Sequence, residues 1–169
     1  MTAVIEVRIG SRRDEVVSAV PATEAAVREL VLSCSPGALQ RRFFLSGPVA
    51  PQVVWERCRK YLLAGPSEGA AVVAMSGDVP VGLLNLVVVG TGVVDMSLLV
   101  VDAWQRRRIA SRLLESELSR PRWAGWTVTA TVQPGNAPVR ALLANTQWGQ
   151  WRVVDRDPSA WGYAMTLLG

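Results

Sequence analysis

Most of the residues that could do chemistry lie in one stretch, Val94 to Leu114, which reads VDMSLLVVDAWQRRRIASRLL. Asp95 interrupts an apolar run there, and partial burial of such a carboxyl would raise its pKa toward that of a general base. It can equally be a strand-edge aspartate that faces solvent or bonds a neighbouring turn. Ten residues later Gln105, Arg106, Arg107, Arg108, Ile109, Ala110 and Ser111 carry the chain into a helical pattern. A strand that feeds a helix N-terminus makes an anion site, because the first helical turn leaves backbone N–H groups without partners. The N–H groups from Arg106 to Ser111 would supply that site, helped by the helix dipole. The side chains of Arg106, Arg107, Arg108 and Arg112 could add charge-assisted bonds. Glycine is the usual residue where backbone closely approaches a phosphate. Arg108 stands there instead and is expected in helical φ/ψ, as a first-turn residue. Its side chain would either reach an anion or cross the groove and obstruct it.

Composition narrows the chemistry further. The chain has 169 residues, enough for a sizeable core, and is read as one domain over residues 1–169. It has no histidine and two cysteines, Cys34 and Cys58, so neither a zinc site nor Ser–His or Cys–His catalysis is expected. A general base must then be a carboxylate, the single lysine Lys60, one of the tyrosines Tyr61 and Tyr163, or a backbone-held water. The net charge is +4, carried almost wholly by arginine, which suits bidentate phosphate contacts and also simply solvates a surface. No apolar run approaches the roughly 20 residues of a membrane span. Glu6 and Arg8 within MTAVIEVRIG argue against a signal peptide, so a cytoplasmic protein without membrane contact is expected.

The surrounding pattern must position this stretch. Val4–Ile9 alternates as a half-buried strand does. Thr23 caps a helix with Val27, Leu30 and Val31 on one face, Ser35-Pro36 starts another helical turn, and Pro51 begins a third helix. Val54, Cys58, Tyr61 and Leu62 share that third helix's apolar face by spacing. Gly69–Met75, Val81–Val89 and Val93–Val101 form an antiparallel meander with turns at SGDVP and Thr91-Gly92. Arg107–Leu118 is helical, Trp126–Val132 is a strand, and Asn136 caps a helix carrying Val139, Leu142 and Leu143. Strands around Arg152–Val154 and Tyr163–Leu168 follow. The result is a mixed α/β fold of about seven strands flanked by helices. Its one parallel crossover runs from Val93 to Val132, and the carboxyl ends of such strands favour ligands. The seven tryptophans read as core or groove lining.

Gln105-Arg-Arg-Arg108-Ile-Ala110 resembles the acyl-CoA-binding signature of the GNAT N-acetyltransferases. That signature is Gln or Arg, two variable residues, Gly, one variable residue, then Gly or Ala. Gln105 and Ala110 match and Arg108 departs. TATVQPGNAPVRALLANTQW, one strand later, resembles the second GNAT motif, with Asn136 in the place of its helix-capping asparagine. Ser33–Phe44, SCSPGALQRRFF, is similar to the "LSPES-Y-RFF" stretch of bacterial Pat-type protein-lysine acetyltransferases, and Thr131–Asn136 is similar to their "TVLPEN". Asp95 holds the place of their acidic residue, ten positions before the motif glutamine.

The resemblance implies a GNAT-like acyl-CoA N-acyltransferase fold and an acetyl-CoA-dependent enzyme without a metal. It would transfer the acetyl group directly to an amine, either a small molecule or a protein lysine. Asp95 would be the general base, one methylene shorter than the usual glutamate. Gln105, Arg106, Arg107, Arg108, Ile109, Ala110, Ser111 and Asn136 would bind the cofactor. The backbone of Leu98, Leu99 and Val100 would lie along the pantetheine amides as an added strand does. Homodimers are common among such proteins. A tyrosine on the helix after Asn136 often protonates the leaving thiolate, but Leu142 and Leu143 occupy that region. Together with Arg108 and the shorter base, this keeps open a catalytically silent acyl-CoA-binding protein. A nucleic-acid binder that used the arginine run would lack interleaved aromatics, and no nucleic-acid partner is expected.

Overall fold

The computed structural model describes residues 5–9, 15–65 and 67–168. Two adjacent strands open it, β1 (Ile5–Ile9) and β2 (Glu15–Pro21), followed by helices α1 (Glu24–Ser33), α2 (Pro36–Phe43) and α3 (Pro51–Cys58). Strands β3 (Gly69–Ser76), β4 (Val79–Gly90) and β5 (Val93–Val100) form the expected meander. Then come α4 (Ile109–Leu118), β6 (Thr127–Val132), α5 (Ala137–Ala144), β7 (Arg152–Arg156) and β8 (Trp161–Thr166). The sheet has eight strands in the order β1-β2-β3-β4-β5-β6-β8-β7. The strand missing from the sequence reading is β2, whose short valine pattern is interrupted by Ser18 and closed by Pro21.

Local chemistry fixes the element ends. The Thr23 hydroxyl accepts the Ala26 N–H at 3.2 Å and opens α1, and Ser35 does the same for α2 through the Ala38 N–H at 3.1 Å. Pro36 and Pro51 sit in first turns, where a missing N–H breaks no helical bond. The turns at Gly77 (φ 58°) and Gly92 (φ 68°) take left-handed backbone, which glycine adopts without strain.

The period-2 alternation of the strands divides the core between two faces. On one face α4 buries Ile109, Leu113, Leu114 and Leu118 against Leu84, Leu86, Val94 and Met96, and Leu143 of α5 joins them. On the other, α1 to α3 bury Val27, Leu30, Val31, Leu39 and Val54 against Val73, Leu83 and Leu99. Tyr61 does not join that second face: it lies past the end of α3, in a 3₁₀ turn, and is 63% exposed. Glu117, buried within the first face, accepts the Trp123 indole N–H at 3.0 Å and pairs with Arg120 at 2.8 Å.

Helix α4 lies directly on β4 at Gly82. A Cβ there would come within 2.6 Å of Ile109 Cγ2. Gly82→Ala is therefore expected to destabilise the protein by about 1–3 kcal/mol through overpacking. Urea denaturation measures this, and an unchanged midpoint would mean that α4 is not pinned to the sheet at this point.

Candidate active site

Strands β5 and β6 run parallel for only three pairs: Val93 with Thr127, Val94 with Val128, and Asp95 with Thr129. Beyond Asp95 they part. Met96–Val100 pairs only with β4, and Ala130–Val132 pairs only with β8. The sheet therefore splits into a V, with Asp95 at the vertex. Leu98, Leu99 and Val100 carry one edge of the cleft, and their backbone is free of β6 along it. An extended amide-bearing ligand can bond to such an edge as an added strand would.

Asp95 is half-buried, and its Oδ1 accepts the Thr129 hydroxyl at 2.8 Å. Burial pushes its carboxyl above the usual carboxylate range, against the lowering pull of the Thr129 bond and of the Arg42 guanidinium. It is not a solvent-facing edge aspartate. Ser97, two residues on along β5, accepts a hydrogen bond from Arg42 Nη2 near the end of α2. Burial lowers the Arg42 guanidinium to about 10, against the raising effect of Asp95, so it stays charged at neutral pH. At the other end of α2 the Ser35 N–H and hydroxyl both donate to Asp102, at 2.8 and 2.7 Å. Helix α2 is thus tied at both ends to β5 and its elbow. Partial burial would raise the Asp102 carboxyl, but the two Ser35 bonds outweigh it and hold the carboxyl below its ordinary value.

The chain turns from β5 into α4 through a 3₁₀ turn at Asp102–Trp104. Gln105 is exposed, and its Nε2 donates to the Val100 carbonyl at 3.2 Å, bracing the elbow against the strand. The Arg107 guanidinium lies 4.8 Å over the Trp104 ring. Arg108 departs from expectation. It is not helical but left-handed, at φ 60° and ψ 16°, as the residue just before α4, and Arg106 is also left-handed at φ 61°. The loop keeps the backbone shape that glycine adopts freely, so the substitution changes strain rather than path. The first N–H groups of α4, those of Ile109, Ala110 and Ser111, have no acceptor within the helix. Ile109 offers only its backbone, because its side chain is buried in the core.

From this helix start a groove of about 740 Å³ runs between α4 and α5. Arg108, Ser111, Arg112 and Glu115 line one wall, and Leu142, Asn145 and Trp148 line the other. Its size falls within the range of about 300–1,000 Å³ for small-molecule sites. Asn136 stands just before α5 but makes no side-chain cap bond; only its carbonyl accepts, from the Arg140 N–H at 3.2 Å. The capping role expected for its side chain is absent. Arg42, Ser97 and Thr129 were not legible as site residues, because only strand register and the placement of α2 bring them to Asp95. Among the described residues no group of three or more His, Cys, Asp or Glu could hold a metal ion.

This strand order, split sheet and helix-start elbow make up the fold of the GNAT N-acetyltransferases. The structure is similar to the GNAT domain of S. lividans PAT, with a TM-score of 0.75 and 19% identity over 98% of this chain and 97% of that one. It is also similar to an acetyltransferase from Thermus thermophilus, at TM-score 0.70 and 17% identity over 95% of this chain and all (100%) of that one. A third similar structure is Mycobacterium smegmatis RimJ in complex with CoA-disulfide, at TM-score 0.63 and 18% identity over 98% of this chain and 86% of that one. No protein-family model and no curated sequence matches the chain.

Substitutions at two positions test this geometry. Arg108→Gly is expected to raise stability by up to about 1 kcal/mol by relieving left-handed strain, whereas Arg108→Val should lower it by about 1–2 kcal/mol. Equal denaturation midpoints for the two would show that the backbone is not left-handed there. Asp102→Asn should lower Tm at neutral pH by loosening α2. A carboxyl held below its ordinary value stabilises the fold above the unfolded pKa and loses that effect as pH falls through the folded one. The gap to wild type should therefore close as the pH drops below 3.8, and a gap constant down to pH 2 would contradict the assignment.

Proposed function

We propose that the protein is an acetyl-CoA-dependent N-acetyltransferase. The observation that carries this reading is the parting of β5 and β6 at Asp95, with the open edge of β5 leading to the free N–H groups of α4. In this reading the pantetheine arm lies along Leu98–Val100 and the pyrophosphate sits at the start of α4, on the N–H groups of Ile109, Ala110 and Ser111. Gln105 braces the elbow rather than touching the cofactor, and Arg108 and Arg112 flank the phosphates from the groove wall. The RimJ structure, which holds CoA-disulfide, supports a CoA-type ligand.

Acetyl transfer then removes two protons from nitrogen and returns one to sulfur. Asp95, directly or through one water, takes a proton from the acceptor ammonium. The freed nitrogen lone pair attacks the thioester carbonyl. The C–N bond forms, the C–S bond breaks, the thiolate leaves with the electron pair, and the nitrogen gives up its second proton to solvent. The helix after Asn136 reads APVRALLA and has no tyrosine, so the thiolate takes its proton from solvent. The same absence favours the second reading, a silent acyl-CoA-binding protein.

Thermal melting with acetyl-CoA separates both readings from neither. A ligand at 100 times its Kd stabilises by about 2.7 kcal/mol. A matching rise in Tm is expected, and no rise at millimolar ligand would sink both. Asp95→Asn should keep that rise while lowering kcat by about 10²–10⁴-fold. Wild-type kcat should increase with pH through the raised Asp95 value, because only the ionised carboxyl accepts a proton. Unchanged turnover in Asp95→Asn at every pH would remove Asp95 as the base. CoA binding with no turnover across a broad amine panel would select the silent protein.

A further inference from the structure

Arg42 is a charged group set into the protein with no carboxylate to pair with. Among the described residues it forms no ion pair, and its one hydrogen bond goes to the neutral Ser97 hydroxyl. The Asp95 carboxylate attracts it, but Asp95 Oδ1 is already engaged by Thr129. By contrast, the buried Glu117 has both oxygens bonded. A guanidinium carries five N–H donors, and Nη2 satisfies one of them on Ser97. Among the described residues the buried polar side-chain atoms left without a partner are Asn85 Oδ1 and Trp151 Nε1, so the remaining Arg42 donors open onto accessible space.

The bond to Ser97 places the guanidinium beside the vertex of the cleft. Asp95 and Ser97 are two residues apart on one face of β5, about 6.6 Å along the strand. Thr129 closes one side of the vertex, and α2 holds Arg42 over the other. An amine delivered to Asp95 therefore has a cation one short side-chain length away. A second ammonium placed there would be repelled, whereas a carboxylate would complete the guanidinium's bonds in bidentate fashion.

We propose that Arg42 is the anion-recognition residue of the acceptor subsite, and that the acceptor is a small amine bearing a carboxylate, such as an amino acid, rather than a bare protein lysine. This rests on the N-acetyltransferase reading of the cleft. Ser97 orients the guanidinium, Arg42 holds the carboxylate, and the amine of the same molecule reaches Asp95. Pairing this half-buried cation with a carboxylate adds a charge-assisted bond that the corresponding amide cannot form.

Calorimetric titration of short α- and ω-amino acids, their primary amides, and a lysine peptide free of acidic residues tests this, with and without saturating CoA. Wild type is expected to bind at least one amino acid about tenfold or more tighter than its amide, in line with a charge-assisted bond. Arg42→Met should erase the difference while CoA is still taken up, whereas Arg42→Lys should keep part of it. Equal binding of acid and amide, a lysine peptide bound tighter than every amino acid, or a preference that survives in Arg42→Met would each overturn the proposal. Protein that binds CoA but shows no acid preference loses this proposal only; protein that takes up no CoA loses the functional reading with it.

Discussion

The divergence of β5 from β6 is the constraint on which the rest of the site depends. A sheet normally satisfies every interior N–H and C=O through its neighbours, and an opened seam leaves such groups exposed. Here the seam opens after only three parallel pairs, at Asp95. It can stay open because each arm is held from its other side. β5 is fully paired with β4, and β6 with β8. The cleft is therefore built into the strand register and needs no loop to form it. It brings together an edge of unpaired backbone, a half-buried carboxyl and, at the far end of β5, the free amides of α4.

Helix α2 completes the vertex. It spans from Asp102, where both Ser35 groups bind, to Ser97, where Arg42 binds. One short helix thus couples the elbow that leads to α4 with the carboxyl at the vertex. Burial raises the Asp95 carboxyl and lowers the Arg42 guanidinium. Their mutual attraction opposes both shifts but does not cancel either.

Much of this was legible in the chain. The strand–elbow–helix from Val94 to Leu114, the meander, and the helix starts at Thr23, Ser35 and Pro51 follow from local rules of alternation and capping. Asp95 stood out because a carboxylate inside an apolar strand is costly to bury. What the chain hid is non-local. Thr129 is one of three alternating threonines, and only the β5–β6 register selects it as the Asp95 partner. Arg42 is one of two adjacent arginines in a helical pattern, and only the docking of α2 turns it inward. Arg108 misled in the other direction. Its identity suggested a helical residue, but the elbow's path imposes left-handed backbone whether or not a glycine is present. Asn136 has the type of a cap without the bond, because its ψ of 70° departs from the extended backbone of Thr23 (ψ 154°) and Ser35 (ψ 153°), whose side chains do cap.

Amide hydrogen exchange of the full chain with and without CoA tests the central claim most directly, since it reads the open edge of β5 and the start of α4 in one experiment. If the split sheet is the cofactor site, CoA should slow exchange at amides within Met96–Val100 and Ile109–Ser111 and leave the β1–β2 pairing unchanged. Protection confined to other segments, or none at saturating CoA, would contradict the account.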